Sequence, residues 1–353
     1  LLNTDKASTD QVKKAIGKAN HAIAACRRFE FYADYRNSLI KPVKHSLNAE
    51  KLGIVLSAIK TRYPELSKII LHAGTPKTGT TSMQFFLANR HADLKLQGYL
   101  YPSNYSDTYE PKHQLLVSAL LDNDVNSLIE EFHKILKQLT NGISTIILST
   151  EGIYNHWFDF SQEAKYNLTV IDNYFELNLW VWLREPCHFI ESLYCQYLKN
   201  QKLPRVACYG QNWTLNEMLN NSWFTKHLDY LGFIYEIDAL LGKDKIKIFP
   251  HQENNIGVLG EQLNIDYDSN TNSRENIKFC KTTVELLRII NRHSLGQPDR
   301  CAVLQHLTKI DSILSSYRHE SMIDETTRRL ILELSALGLF VLNSEYNIDF
   351  PQQ

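Results

Sequence analysis

The chain has almost no net charge: 38 Lys and Arg stand against 39 Asp and Glu, a formal −1 with a pI near 7.0. No bulk field therefore recruits nucleic acid or an anionic membrane, and any anion site must be built locally. An apolar run of about 18 residues is missing, as is a basic-then-apolar N-terminal stretch, so neither a membrane span nor a secretion signal is predicted. The first residue is Leu1 rather than Met, which leaves room for a removed upstream segment.

Metal chemistry also lacks its usual marks. Cys26, Cys187, Cys195, Cys208, Cys280 and Cys301 include no CxxC or paired zinc spacing, and the 13 His form no HExxH. No metal site is predicted, and idle buried thiols are expected rather than disulfides. Sequons such as Asn104 and Asn212 are about as frequent as so asparagine-rich a chain produces by chance, and decide nothing about secretion. Internal repeats and low-complexity linkers are absent.

What is present is a soluble globular composition, 43% hydrophobic and 22% charged, over 353 residues, long enough for a large core. Residues 8–62 read as helical, with apolar residues three and four apart in QVKKAIGKANHAIAACRRF and AEKLGIVLSAIK. KIILHA (68–73), STIILST (144–150), LNLWVWL (177–183) and DKIKIF (244–249) read as strands with helical segments between them. From 281 the pattern is helical again. This alternation predicts an α/β fold, a central parallel sheet flanked by helices. The predicted division is a helical N-terminal extension over 1–66, an α/β core over 67–295 and C-terminal helices over 296–353 packing on that core.

Within IILHAGTPKTGTTSMQFFL (69–87), the first strand runs into a tight loop from Gly74 to Gly79 that opens a helix at Thr80. Such a corner gathers unpaired N–H groups and the positive end of the helix dipole. Pro76, Lys77, Thr78, Gly79, Thr80, Thr81 and Ser82 therefore form a candidate phosphate cradle; a Thr-built helix cap beside a solvated lysine is the plainer alternative. The Walker pattern GxxxxGK[ST] does not fit, since Lys77 precedes Gly79 and no apolar strand ends in Asp. A second corner follows LNLWVWL: Arg184 ends the strand, Pro186 opens a helix at a position that tolerates proline, and Ser192 comes eight residues after the Arg. Six residues of helix rise only about 9 Å, so Ser192 can still face the loop carrying Arg184. Together they offer a forked cation and a neutral donor to a second phosphate.

PKTGTT followed by the Arg184 and Ser192 pair resembles the sulfotransferases that use 3′-phosphoadenosine 5′-phosphosulfate (PAPS), most of all the bacterial carbohydrate-type branch with HxGxPKTGTTSxQ. The likeness spans roughly residues 68–293 and is strong in the two phosphate motifs and thin elsewhere; GYLYPSNY, the His of KHQLLVSAL and STEG also look like that branch. The resemblance implies a nucleotide-kinase-type parallel sheet, PAPS as cosubstrate, adenosine 3′,5′-bisphosphate as product and transfer without a metal. The cradle then holds the 5′-phosphosulfate, Lys77 neutralises the leaving group, and Arg184 and Ser192 take the 3′-phosphate. Arg274 and Lys278 fall where the family closes a loop over the nucleotide, with a solvated basic loop as the alternative.

The base is Glu151, at the end of STIILST, or His113, which is the more naturally poised near neutral pH; one of them also suits an orienting role. Phe85 lines the adenine or belongs to the core, and Tyr154, Trp157 and Phe158 form either an acceptor platform or a packed helix face. The expected acceptor is a saccharide or another polar small molecule bearing a hydroxyl, with an amine still open. Segments 100–115, 152–160 and 201–225 are the expected pocket walls. The rival classes are an ATP-dependent kinase-like phosphotransferase and a catalytically silent nucleotide-binding protein. A cytoplasmic location is the simplest expectation, a trimmed Golgi-type luminal domain its alternative.

Overall fold

The apolar runs become strands buried between helices. The computed structural model describes residues 46–103, 111–203, 206–267, 279–293, 295–314 and 321–350. The helical reading of residues 8–45, together with Arg274 and Lys278, lies outside the described residues. Strands β1 (Lys68–His72), β2 (Tyr99–Leu100), β3 (Thr145–Ser149), β4 (Glu176–Leu183) and β5 (Ile246–Pro250) form a five-stranded sheet in the order β2-β3-β1-β4-β5. Every pairing is parallel. Four of these strands are the predicted ones; β2 is too short to carry a periodicity and was not anticipated.

The main helices are α1 (Leu47–Arg62), α2 (Thr80–Asn89), α3 (Gln114–Leu121), α4 (Val125–Leu136), α5 (Gly152–His156), α6 (Gln162–Tyr174), α7 (Pro186–Lys199), α8 (Tyr230–Leu241), α9 (Asn255–Leu263), α10 (Lys281–Ile290), α11 (Gln297–Leu314) and α12 (Glu325–Tyr346), with further short helices of three to six residues between them. Successive strand residues point to opposite faces, and the core divides accordingly. Ile69, Leu71, Ile146 and Leu148 join the larger apolar cluster with Leu52 and Leu56 of α1, Val117 of α3, Leu168 of α6, Phe189 of α7 and Phe233 of α8. Ile70, Ile147 and Trp182 face the other way, onto Met83 and Leu87 of α2 and Leu259 and Leu263 of α9. Leu307, Ile331 and Leu342 bring α11 and α12 into the larger cluster.

The chain goes from β1 to β2 and β3 on one side of the sheet and then crosses to β4 on the other. Such a switch point opens a crevice beyond the carboxyl ends of the strands, where open α/β sheets bind ligands. Register makes that edge common to three corners. His72 is level with Ser149 of β3, so Lys77 and Glu151 emerge from adjacent strand ends, and Arg184 follows directly on the next strand, β4. Among the described residues no helix is long and apolar enough to cross a membrane.

Candidate functional site

The loop after β1 is held at each of its polar positions. The N–H and Oγ1 of Thr75 both donate to the Trp182 carbonyl, at 3.3 and 2.8 Å, and Thr78 Oγ1 donates back to the Thr75 carbonyl at 2.6 Å. Arg184 Nη1 donates to the Lys77 carbonyl at 3.0 Å, and Asn255 Nδ2 to the Thr78 carbonyl at 2.8 Å. These bonds hold Lys77 in the left-handed region, φ 67°, a conformation that costs a non-glycine residue about 1–3 kcal/mol and persists where the surroundings over-determine it. Gly79, at φ 76°, takes the same region without a Cβ penalty. A Cβ on Gly74 would lie 2.8 Å from both His72 Nε2 and Thr80 Cγ2, so only glycine fits there.

Gly79 caps α2 without a side-chain acceptor, and the first helical bond runs from Met83 N–H to the Gly79 carbonyl at 3.1 Å. The N–H groups of Thr80, Thr81 and Ser82 thus precede the first intrahelical bond, as an anion cradle requires. Pro76, Lys77, Gly79, Thr80 and Thr81 line a cavity of about 320 Å³, in the range of small-molecule sites. Glu151 faces the same cavity from the end of β3. Leu193, Gln196, Tyr197 and Asn200 of α7 close one side, with Asn155 and Tyr209 beyond.

The electrostatics couple the two charged lining residues. Burial pushes the Glu151 carboxyl above its ordinary value, opposed by the charges of Lys77 and Lys112. Burial lowers the Lys77 ammonium, with Glu151 and Cys195 opposing and Arg184 reinforcing. Glu151 begins α5 but makes no side-chain capping bond, so its carboxylate is not committed to the helix.

The remaining predicted residues fall around this cavity rather than on its wall. Thr78 is buried with its hydroxyl committed inside the loop, and Arg184 meets the cradle through the Lys77 carbonyl. Ser192 is buried on α7, one turn before Gln196, and Ser82 is half-buried on α2. His113 is not among the residues lining the cavity, and both of its ring nitrogens have partners. Its Nδ1 accepts the Ser149 N–H at 3.0 Å, its Nε2 sits 3.1 Å from the Pro102 carbonyl, and its own N–H donates to the Ser149 carbonyl at 2.8 Å. On the other side of Ser149, His72 Nδ1 lies 2.8 Å from the Ser149 hydroxyl. Two histidines therefore grip the strand end that presents Glu151.

Burial lowers His113 to about 4 and His72 to about 3. Both are neutral when folded, whereas an unfolded histidine titrates near 6.5. Below about pH 6.5 the unfolded chain binds more of these protons, so stability falls with falling pH, down to about 4 for His113. His113→Gln is expected to shrink the drop in melting temperature between about pH 7.5 and about pH 5 relative to the unmodified chain. An unchanged drop would mean that His113 is protonated in the fold.

Tyr154 and Trp157 are core, as the packed-face alternative has it: the Tyr154 hydroxyl donates to the His227 carbonyl at 2.7 Å, and Trp157 Nε1 to Glu236 at 2.8 Å. Phe158 packs on the larger cluster at its edge, and Phe85 is half-buried on α2. Asn155 and Tyr209 lie in two of the expected wall segments, 152–160 and 201–225, whereas sequence reading missed Asn255 and the α7 face. The last had a signal: positions 193, 196, 197 and 200 follow the i, i+3, i+4, i+7 stripe of one helix face. Asn255 has none, because it acts across the fold on a backbone carbonyl.

Among the described residues no group of three or more His, Cys, Asp or Glu is arranged to hold a metal ion. Compared with family models, curated proteins and solved structures, the chain matches none of them.

Proposed function

We propose that the protein is a PAPS-dependent sulfotransferase that moves the sulfuryl group to an acceptor hydroxyl. The observation that carries this reading is the convergence, at one edge of the sheet, of the Lys77 cradle, the Arg184 corner and a half-buried carboxylate facing the same cavity. The unpaired N–H groups at the start of α2 suit the 5′-phosphosulfate, and Arg184 with Ser192 suits the 3′-phosphate that distinguishes PAPS from ATP. Within this reading the fold is the sulfotransferase variant of the nucleotide-kinase sheet.

The Glu151 carboxylate takes the acceptor proton as the acceptor oxygen attacks sulfur in line. The new O–S bond forms as the bond from sulfur to the bridging oxygen breaks, and the electron pair leaves on adenosine 3′,5′-bisphosphate. Lys77 stabilises the charge growing on that bridging oxygen, and the cradle fixes the 5′-phosphate so that little reorganisation accompanies transfer. Burial serves both groups: it makes Glu151 a better proton acceptor and strengthens the field of Lys77.

Adenosine 3′,5′-bisphosphate is expected to raise the melting temperature at concentrations where ATP with magnesium has little effect. At 100 times its dissociation constant the bisphosphate would add about 2.7 kcal/mol of stability. Stabilisation by ATP with magnesium alone would instead favour a kinase-like phosphotransferase.

A further inference from the structure

Among the described residues, the cavity wall away from Lys77 and Glu151 carries hydrogen-bonding groups but no charge. Asn155, Gln196, Tyr197, Asn200 and Tyr209 line it, and of the described lining residues only Lys77 and Glu151 are ionisable near neutral pH. Gln196 Nε2 donates to Asn200 Oδ1 at 2.7 Å, and Asn200 also bonds the Tyr209 side chain, so two amides and a phenol form one linked row. Tyr197 and Tyr209 meet edge to face, with ring centroids 4.8 Å apart, which stiffens the aromatic part of the wall. Asn155 Oδ1 is buried without a hydrogen-bond partner among the described residues. A buried amide oxygen in that state calls for a donor, and because Asn155 lines the cavity, a turn of its side chain lets an entering hydroxyl supply one.

We propose that this wall receives an uncharged, hydroxyl-rich acceptor such as a neutral glycoside, discriminating against acceptors that carry a carboxylate or an ammonium group. The proposal rests on the sulfotransferase reading and narrows its acceptor. An anionic acceptor would bring charge beside a donor that is itself anionic, and beside Glu151. Of the described cations near the cavity, Lys77 belongs to the cradle, Arg184 holds the Lys77 carbonyl, the Lys199 ammonium lies 3.7 Å from the centre of the Phe279 ring, and Lys112, whose charge acts on Glu151, does not line the cavity. A cationic acceptor would pair with Glu151 and occupy the group needed to take the proton. An uncharged polyol avoids both conflicts, and its hydroxyls match the amide and phenol row, which both donates and accepts.

The test uses the full chain with PAPS labelled in its sulfuryl group and three glycosides of one ring, bearing a hydroxymethyl, a carboxylate or an amino substituent. Binding of adenosine 3′,5′-bisphosphate is measured in parallel by calorimetry. The neutral glycoside is expected to show kcat/KM at least about 10-fold above the other two. Asn155→Ala is expected to raise the KM for that glycoside about 10-fold with bisphosphate affinity unchanged. Equal or better transfer to the carboxylate or amino glycoside overturns the acceptor assignment. So does bisphosphate binding without transfer to the neutral one; transfer to a charged glycoside leaves the donor reading standing, whereas binding with no transfer to any of the three leaves only the nucleotide site and favours a catalytically silent protein. If neither bisphosphate binding nor transfer is seen, the donor reading fails and takes the proposal with it.

Discussion

Lys77→Ala is expected to lower kcat for sulfuryl transfer by about 10²–10³-fold, the loss found when a single group aimed at developing charge is removed. The melting temperature should stay near that of the unmodified chain, because what holds the loop is the Lys77 carbonyl and not its side chain. The φ of 67° also remains available to alanine at much the same cost. The KM for the acceptor should change little, since the ammonium serves the leaving group. Lys77→Arg keeps the charge but replaces a compact ammonium with a planar fork, so it should recover only part of the rate. Steady-state kinetics of the three forms with labelled PAPS checks this. If Lys77→Ala turned over at the normal rate, leaving-group stabilisation would have to come from elsewhere, and the cradle would be no more than a binding loop.

Glu151→Gln is expected to cost about 10²–10⁴-fold in kcat, the usual share of a positioned general base. The amide is nearly isosteric and no capping bond is lost, so the fold should tolerate it. The pH profile separates a base from a mere contact. The base acts deprotonated, so activity should rise with pH through the Glu151 pKa, which burial places above the ordinary carboxylate range. Lys77 acts protonated, so activity should fall again at alkaline pH, from a point below the usual lysine value because burial lowers it. In Glu151→Gln the acid limb should disappear and the alkaline limb remain. A variant that kept the acid limb would assign it to another group. His113 is poorly placed for that role, with both ring nitrogens bonded and its pKa held near 4.

How far the site was legible depended on whether its chemistry is local in the chain. The cradle is made by seven consecutive residues, Pro76 to Ser82, at the corner from β1 to α2, and each signal, the apolar strand, the glycines and the threonines opening the helix, acts on its neighbours. The corner at Arg184 was legible for the same reason, being fixed by one strand and the helix that follows it. Glu151 and His113 were both named as bases, Glu151 for its place at the end of a predicted strand and His113 for the poise of an imidazole near neutral pH. Only their surroundings separate them: the cavity in front of Glu151, and the Ser149 and Pro102 partners of His113. The aromatic run near Glu151 left platform and packed face open, and the fold decides for packing because the Tyr154 and Trp157 side chains turn into the core, to His227 and Glu236 more than 70 residues away.

The sequence by itself determined a parallel α/β sheet, a tight strand-to-helix corner at Lys77, a second corner at Arg184, and near-neutrality that leaves any anion site to local geometry. These follow from period, turn chemistry and spacing, which operate within a few residues. Tertiary structure decided the strand order that brings three corners to one edge and the burial that shifts Glu151 and Lys77 in opposite directions. It also decided the roles of Asn255 and of the Gln196 and Asn200 face. Desolvation and cross-strand hydrogen bonds arise between segments distant in the chain, so no local pattern carries them until the sheet has assembled.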